Sequence, residues 1–489
     1  MNNRISTTAR KCSAILLPVL LAAACTVGPE YKKPAVTGPD QFRYQIQTSE
    51  ARSFADLPWW GVFNDAALQA LINEALTNNP DLTVAVARIE EARARVGQVE
   101  SEGKPQVGYE ATAAGEKSFI PQAGSKAKAF TYGNFEGLLT AAWELDIWGR
   151  IQHATESAKA QLLEQEDVRR GVVLILVSDV AADYFGLLAL DRELAIAQES
   201  STDYKRTLDL FTARYEGGRD SKLPVERAQA AYDSANAQIQ DVNRRIGLQE
   251  NAIAVLLGAY PKPAARGQAL EQQTMPQTPL GATTALLQRR PEILAAEQEM
   301  ISANAQIGEA VASFYPRVGL SAFLGGEGVS IANSFTGFGV WNLAATLAGP
   351  IYTGGLLEEQ YNERKAYWDE SVASYKEKIL VAFQETSDAL IAQQTLVGRR
   401  TALESQVAAQ RQSVDFALER YQGGRASYFE VLEAQQELFP AEQTLAETQR
   451  DQLLAVVNLY KALGGGWYGP AGEQTEPGFL PTHTASAGG

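Results

Sequence analysis

The chain has 489 residues, 45% hydrophobic and 21% charged, and its 43 basic and 58 acidic side chains give a formal charge of −15. Such a length allows two to four ordinary domains with a sizeable core, and the acidic balance argues against a nucleic-acid partner, because phosphate binding needs a basic face. Two Cys and two His exclude Cys/His zinc sites, haem attachment and a disulfide framework, and neither His153 nor His483 has the setting of a catalytic triad, so no enzyme is expected.

In chain order, residues 1–24 carry Arg4, Arg10 and Lys11, then the apolar stretch Ile15–Leu21 and the run Ala22-Ala23-Ala24. The stretch is shorter than the roughly 20 residues a transmembrane helix needs, so 1–24 reads as a secretory signal peptide. Cys25 follows directly. A Cys after small residues at a cleavage site resembles a bacterial lipobox, here with Ala22 where that pattern has Leu. The alternative is an ordinary cleavage site with an incidental Cys. The lipobox resemblance implies a covalent lipid on Cys25, diacylglycerol and palmitate, anchoring with about 0.8 kcal/mol per buried methylene. No other cofactor and no metal are expected. The later apolar stretch Val172–Leu190 contains Asp179 and Asp183 one turn apart, which marks a packed helix rather than a span.

An internal duplication organises the rest. Asn79-Pro80-Asp81-Leu82 recurs as Arg290-Pro291-Glu292-Ile293, and Pro105-Gln106-Val107-Gly108 as Pro316-Arg317-Val318-Gly319, both at an offset of 211. Further on the offset is 206, and nine of the sixteen residues from 214 to 229 are identical to their counterparts, where composition alone gives about one. The offset changes between Pro105 and Gly149, where the hydrophobic period also changes to two. Val107, Tyr109, Ala111 and Ala113 alternate with smaller or polar residues, as do Phe135, Leu139, Ala141, Trp143 and Leu145. The second copy repeats this with Val318, Leu320, Ala322 and Leu324, then Trp341, Leu343, Ala345 and Leu347. Each copy is therefore predicted to hold one hairpin of strands about 10–13 residues long, with tips at 118–129 and about 329–337. Lipid cannot satisfy open sheet edges, and four strands cannot close a barrel. A membrane role thus demands about 8 strands from a dimer or about 12 from a trimer, and a soluble β-subdomain is the alternative.

The remainder reads as helix. Runs from Arg150 to Glu216 and from Leu356 to Gln422 lack Pro and each span roughly 100 Å at 1.5 Å per residue. Val372, Tyr375, Ile379, Ala382, Thr386 and Ala389 recur as a coiled-coil seam. The runs end at Gly217-Gly218 and Gly423-Gly424, where glycine allows the chain to reverse into a second helix. The expected organisation is 25–78, an N-terminal extension and equatorial region; 79–104, a helix; 105–149, a β-hairpin; 150–262, a helical hairpin; and 263–289, a linker. The second repeat follows as a helix at 290–315, a β-hairpin at 316–355 and a helical hairpin at 356–463, before a tail at 464–489.

These segments together resemble the outer-membrane factors of tripartite efflux pumps, the TolC/OprM type. The start Cys25-Thr26-Val27-Gly28-Pro29-Glu30-Tyr31-Lys32-Lys33-Pro34 is similar to the lipidated OprM-like branch. Trp59-Trp60, Trp143 to Arg150, Arg290-Pro291-Glu292, Arg420-Tyr421 through Gln435 and Ala462 to Trp467 are similar to internal signatures, and the likeness covers nearly the whole mature chain. The resemblance implies a membrane α+β protein: a homotrimer with a 12-stranded outer-membrane β-barrel, four strands per chain, continued by a long periplasmic α-helical barrel. It implies a Gram-negative outer-membrane location in contact with outer-membrane lipids. It also implies a periplasmic adaptor (membrane fusion protein) docking at Gly217, Gly218, Gly423 and Gly424, and an inner-membrane transporter of the RND type. The family's periplasmic gate maps to Arg420, Tyr421, Glu430 and Glu433.

A spacing of three puts both carboxylates on one helical face, so three copies would stack two acidic rings that favour cations. In the first repeat Pro224 and Arg227 take those places, making the second repeat the main gate and Arg227 a candidate counter-charge. The functional reading is a passive efflux duct. The alternatives are the outer component of a type I protein-secretion system or a periplasmic coiled-coil scaffold without a pore.

Overall fold

The computed structural model describes residues 26–36, 42, 62–120, 128–276, 286–331 and 334–465. The signal peptide, Cys25, Trp59, Trp60, His483 and all of the tail beyond 465 lie outside the described residues. In chain order the elements are α1 (Ala66–Asn78), α2 (Pro80–Glu102), β1 (Gln106–Ile120), β2 (Lys128–Leu145), α3 (Arg150–Glu216), α4 (Lys222–Leu256) and α5 (Leu286–Arg289). Then come α6 (Pro291–Ala312), β3 (Arg317–Ile331), β4 (Ser334–Ala348), α7 (Leu356–Gln422) and α8 (Tyr428–Ala462). The described chain forms two compact units: one holds Arg88–Glu166, Ala295–Tyr375 and the segment before Val36, and the other holds Val36–Ala87, Asp167–Leu294 and the residues from Lys376 on.

The first unit contains a four-stranded antiparallel sheet in the order β1-β2-β3-β4. Directly opposed residues share a face, so the register tests the alternation read from sequence. Tyr109 lies opposite Leu139, Leu139 opposite Leu324, and Leu324 opposite Trp341, a continuous row across all four strands. Val107, Ala141, Ala322 and Leu343 make the next row. This apolar face is left open: Tyr109, Trp341, Leu343 and Leu347 are all more than 70% exposed. The other face carries Glu110, Thr140, Glu136, Ser321, Glu327, Asn342 and Thr346 along with Leu138, Phe323 and Phe338. Among the described residues, both outer strands, β1 and β4, have one unpaired edge.

The strands are longer than the sequence suggests, 15 residues for β1, β3 and β4 and 18 for β2. Pairing continues into the Gly- and Ser-rich stretches expected as tips, because glycine there seats aromatic rings. A Cβ at Gly328 would lie 2.3 Å from the Phe335 ring, which meets Phe135 edge to face at 6.0 Å.

The same unit seats the segment just after Cys25. Val27 N donates to Trp148 O at 3.2 Å, its carbonyl meets His153 Nε2 at 2.9 Å, and Asn304 Nδ2 donates to Pro29 O at 3.0 Å. Tyr31 meets Trp368 edge to face, and Lys33 pairs with Glu297 at 2.6 Å. Gly308 makes room for the His153 ring, since a Cβ there would clash at 2.7 Å.

The second unit has the main apolar core. Leu174, Val177, Val180, Tyr184, Phe185, Leu187 and Leu188 are buried with Leu68, Leu71, Ile72, Ile253, Leu453 and Val456. The apolar stretch within 172–190 is thus a packed helix, and each such side chain contributes about 1.5–3 kcal/mol by leaving water. α1, which falls within the expected N-terminal region 25–78, is capped by Asp65, whose Oδ1 accepts from Ala67 N at 2.9 Å. Its Oδ2 accepts from Tyr184 Oη, Gln268 N and Gln273 Nε2 at 2.8, 3.1 and 2.7 Å. Burial opposes ionisation, but the bonds from Gln273, Tyr184 and the backbone hold this carboxyl below its ordinary value.

Candidate functional site at the helical tips

The tips between α3 and α4 and between α7 and α8 lie in the second unit and share one backbone design. Gly218 and Gly424 both have φ 68°, and each closes a Schellman turn. In the first, Arg219 N donates to Arg214 O at 2.8 Å and Gly218 N to Tyr215 O at 2.9 Å. In the second, Arg425 N donates to Arg420 O at 2.8 Å and Gly424 N to Tyr421 O at 3.0 Å. Gly217 and Gly423 continue the helical pattern through bonds to Ala213 O and Glu419 O, both at 3.0 Å. Positive φ is what makes Gly necessary at 218 and 424. Both glycine pairs are exposed.

An aromatic cluster ties the two tips together. Phe211 of α3, 1% exposed, meets Tyr428 of α8 at 4.0 Å between centroids and Tyr421 of α7 at 5.9 Å, and Tyr421 meets Tyr428 at 5.9 Å. Tyr204, Leu208, Val431 and Leu432 complete this core. The Arg214 guanidinium sits 5.3 Å from the Tyr421 ring centre while its Nε donates to Asp220 Oδ2 at 2.6 Å. Burial raises the Tyr421 phenol above its ordinary value, and Arg214 opposes that shift.

Of the residues singled out from sequence, Tyr421 is therefore held by the first repeat. Arg420 pairs with Glu430 across the turn at 3.6 Å, with the two side chains 59% and 42% exposed, so water screens the pair heavily. Arg420, not Arg227, is Glu430's partner within the chain. Arg227 is exposed and makes no ion pair among the described residues, as is true of Glu433. Arg227 instead borders a cavity of about 690 Å³ between α3, α4 and α8, together with Gln238, Phe429, Leu432, Phe439 and Pro440. Pro440 lies inside α8, where it removes one backbone donor and weakens the ladder at that point. Arg214, Asp220, Phe211 and Tyr428 escaped the sequence reading as site residues. Arg214 was visible as the repeat counterpart of Arg420, but its contact with Tyr421 depends on α3 lying beside α7.

The family model described as "Outer membrane efflux protein" matches residues 71–259 and 283–465. The chain is 30% identical over 458 residues to the cation efflux system protein CusC of Escherichia coli K12, covering 92% of this chain and 99% of that one. It is 32% identical over 479 residues to the toluene efflux pump outer membrane protein TtgC of Pseudomonas putida, covering 96% and 98%. The open-state MtrE outer membrane channel of Neisseria gonorrhoeae superposes with a TM-score of 0.80 at 28% identity, over 90% of this chain and 98% of that one.

Proposed function

The chain belongs to the outer membrane efflux protein family and is an outer-membrane efflux channel rather than an enzyme, and we propose that it works as a trimer gated at its helical tips. The observation that carries this reading is the sheet, with one exposed apolar face and two open edges. Lipid satisfies neither edge, so four strands need other copies, and three copies supply a barrel of about 12 strands. The apolar rows then face lipid, and Glu110, Glu136, Glu327 and Thr346 face the lumen.

The resting gate is held at the tips. Tyr421 packs on Phe211 and Tyr428 and under Arg214, and Arg420 holds Glu430. Opening separates the second-repeat helices from these contacts. A periplasmic adaptor docks on the tips around Gly217, Gly218, Gly423 and Gly424, and an inner-membrane transporter of the RND type supplies the cargo. Glu430 and Glu433 of three copies form acidic rings, with Arg227 nearby. Cys25 carries diacylglycerol and palmitate, and the residues that follow it, Val27, Pro29 and Lys33, are seated on His153, Asn304 and Glu297 of the first unit. The likeness to one relative named for cations and another named for toluene supports a shared duct and leaves cargo choice to the pump.

Mass measurement in detergent combined with heat-resistant β signal tests this reading. Trimers that keep their β signal on heating are expected. A monomer that dissolves without detergent would favour the coiled-coil scaffold.

A further inference from the structure

The sheet registers preserve the internal repeat. Residues of α2 and β1 correspond to those of α6 and β3 numbered 211 higher, and residues of β2, α3 and α4 to those of β4, α7 and α8 numbered 206 higher. Val107 opposite Ala141 in the first hairpin thus becomes Val318 opposite Leu347 in the second, and both pairs occur. One junction has no such counterpart among the described residues: β2 against β3, continued by α3 against α6. Moved by the same offsets it becomes β4 against β1 and α7 against α2. Because β1 and β4 are opposite edges of one sheet, only a second copy completes it.

We propose that copies of this chain join in the register of the internal β2–β3 junction, setting Leu347 opposite Ala111 of the next copy and pairing Glu363 and Glu370 with its Arg95 and Arg88. This rests on the trimer reading above and specifies the surface by which it forms.

Three independent features fit. The first is the faces. Ala141–Ala322, Leu139–Leu324 and Leu145–Val318 become Leu347–Ala111, Ala345–Ala113 and Ile351–Val107. All of these belong to the apolar set, and Ile351 and Val107 are 103% and 76% exposed in the single chain. A slip of one residue would set apolar rows against polar ones.

The second feature is charge. Inside the chain Glu164 of α3 stands near Glu299 of α6, and its carboxyl is pushed up to about 6, by burial first and by Glu299 second. The offsets turn this repelling pair into Glu370 and Arg88. Likewise, Gln306 Nε2 donating to Ser157 Oγ at 3.3 Å becomes Arg95 beside Glu363. Ser302, the third member of that cluster, becomes Glu91, so Arg95 is shared between Glu363 and Glu91. Arg88, Arg95, Glu363 and Glu370 are all exposed, and none forms an ion pair among the described residues; Arg95 donates only to Gln98 at 3.2 Å. Arg88 and Arg95 line an open cleft of about 800 Å³ whose other wall is Gln161, Glu164 and Gln165 of α3 in the same chain. Such charges fix register and partner choice at an interface.

The third feature is space. Gly308 is crowded by the His153 ring, whereas a Cβ at its counterpart Gly97 would meet nothing within 4 Å. The transferred junction puts Glu359, the counterpart of His153, at that open place.

Oxidative cross-linking of the full chain tests the register. Leu347→Cys with Ala111→Cys and Thr346→Cys with Thr112→Cys are adjacent opposed pairs, one of which falls at the narrow spacing that suits a disulfide. Leu347→Cys with Ala113→Cys, and Leu347→Cys with Tyr109→Cys, represent slipped registers, and Ala141→Cys with Ala322→Cys reports folding and oxidation within one chain. Covalent multimers should form at least about fivefold more from a register pair than from a slipped pair. Trimers by mass that link through a slipped pair, or through neither register pair while the in-chain control closes, would overturn the register and leave the trimer standing. Single copies by mass would remove both.

Discussion

Helices α3 and α7 are both 67 residues long and end in the same glycine turn, yet they fasten that turn differently. Arg214 meets Asp220 inside its own turn at 2.6 Å and also covers the Tyr421 ring, whereas Arg420 reaches Glu430 in the following helix at 3.6 Å through open water. The duplication kept the arginine and moved its carboxylate: Asp220 has Ala426 as counterpart, and Glu430 has Pro224. Backbone shape is thus shared and side-chain closure is not. In the proposed gating the first-repeat tip serves as the strut and the second-repeat tip as the leaf, which packs on Phe211 through Tyr421 and Tyr428.

The largest expected effect comes from Phe211→Ala. Removing a ring that is 1% exposed costs about 3–5 kcal/mol and should loosen both tips, because Tyr421 and Tyr428 both lean on it. Hydrogen exchange at the two turns measures this, and faster exchange in the first tip alone would break the strut-and-leaf picture.

Next is the contrast between Glu164 and its counterpart Glu370. A carboxyl raised to about 6 in the fold, above its usual value near 4.3, gives stability that is present below the unfolded value and lost as pH rises through about 6. Glu164→Gln should remove that dependence and stabilise the protein at pH 7 by less than about 2 kcal/mol, because water screens the partly exposed carboxylate. Glu370→Gln should instead lower trimer recovery, and Arg88→Glu should lower it further until Glu370→Arg restores it. Thermal melts across pH 4.5 to about 7.5 and native mass measurements read the two signs. Equal signs would contradict the junction.

Arg214→Ala should cost roughly 1 kcal/mol, reduced by the partial exposure of the pair, and raise channel conductance. Arg420→Ala should be the smallest, about 0–1 kcal/mol, since its pair is exposed. A larger opening from Arg420→Ala than from Arg214→Ala would reverse the roles of the two tips.

Much of the fold was legible because it is periodic. Alternation fixed the faces of Val107, Tyr109, Leu139, Leu324 and Trp341, and the seam from Tyr375 to Ala389 is buried as its spacing requires. The two Gly-Gly pairs marked the turns because the second glycine of each, Gly218 and Gly424, has a positive φ. What stayed hidden depends on contacts between distant segments. Asp65 draws its partners from Tyr184, Gln268 and Gln273, none of which any local pattern links to it. Arg214 looks like a duplicate of Arg420 until Tyr421 is beside it. Gly337 reads as a loop residue, although it lies within β4 and gives space to Phe335.

Single-channel conductance in a planar bilayer, with mass measured on the same detergent-solubilised sample, tests the gated duct most directly. The account expects trimers that pass small, cation-selective currents. Those currents should grow when Tyr421→Ala is combined with Arg214→Ala and lose selectivity when Glu430→Gln is combined with Glu433→Gln. Trimers whose currents ignore all four substitutions would contradict the gate at the tips, and folded protein of any mass that never conducts, even with the tip contacts removed, would contradict the channel.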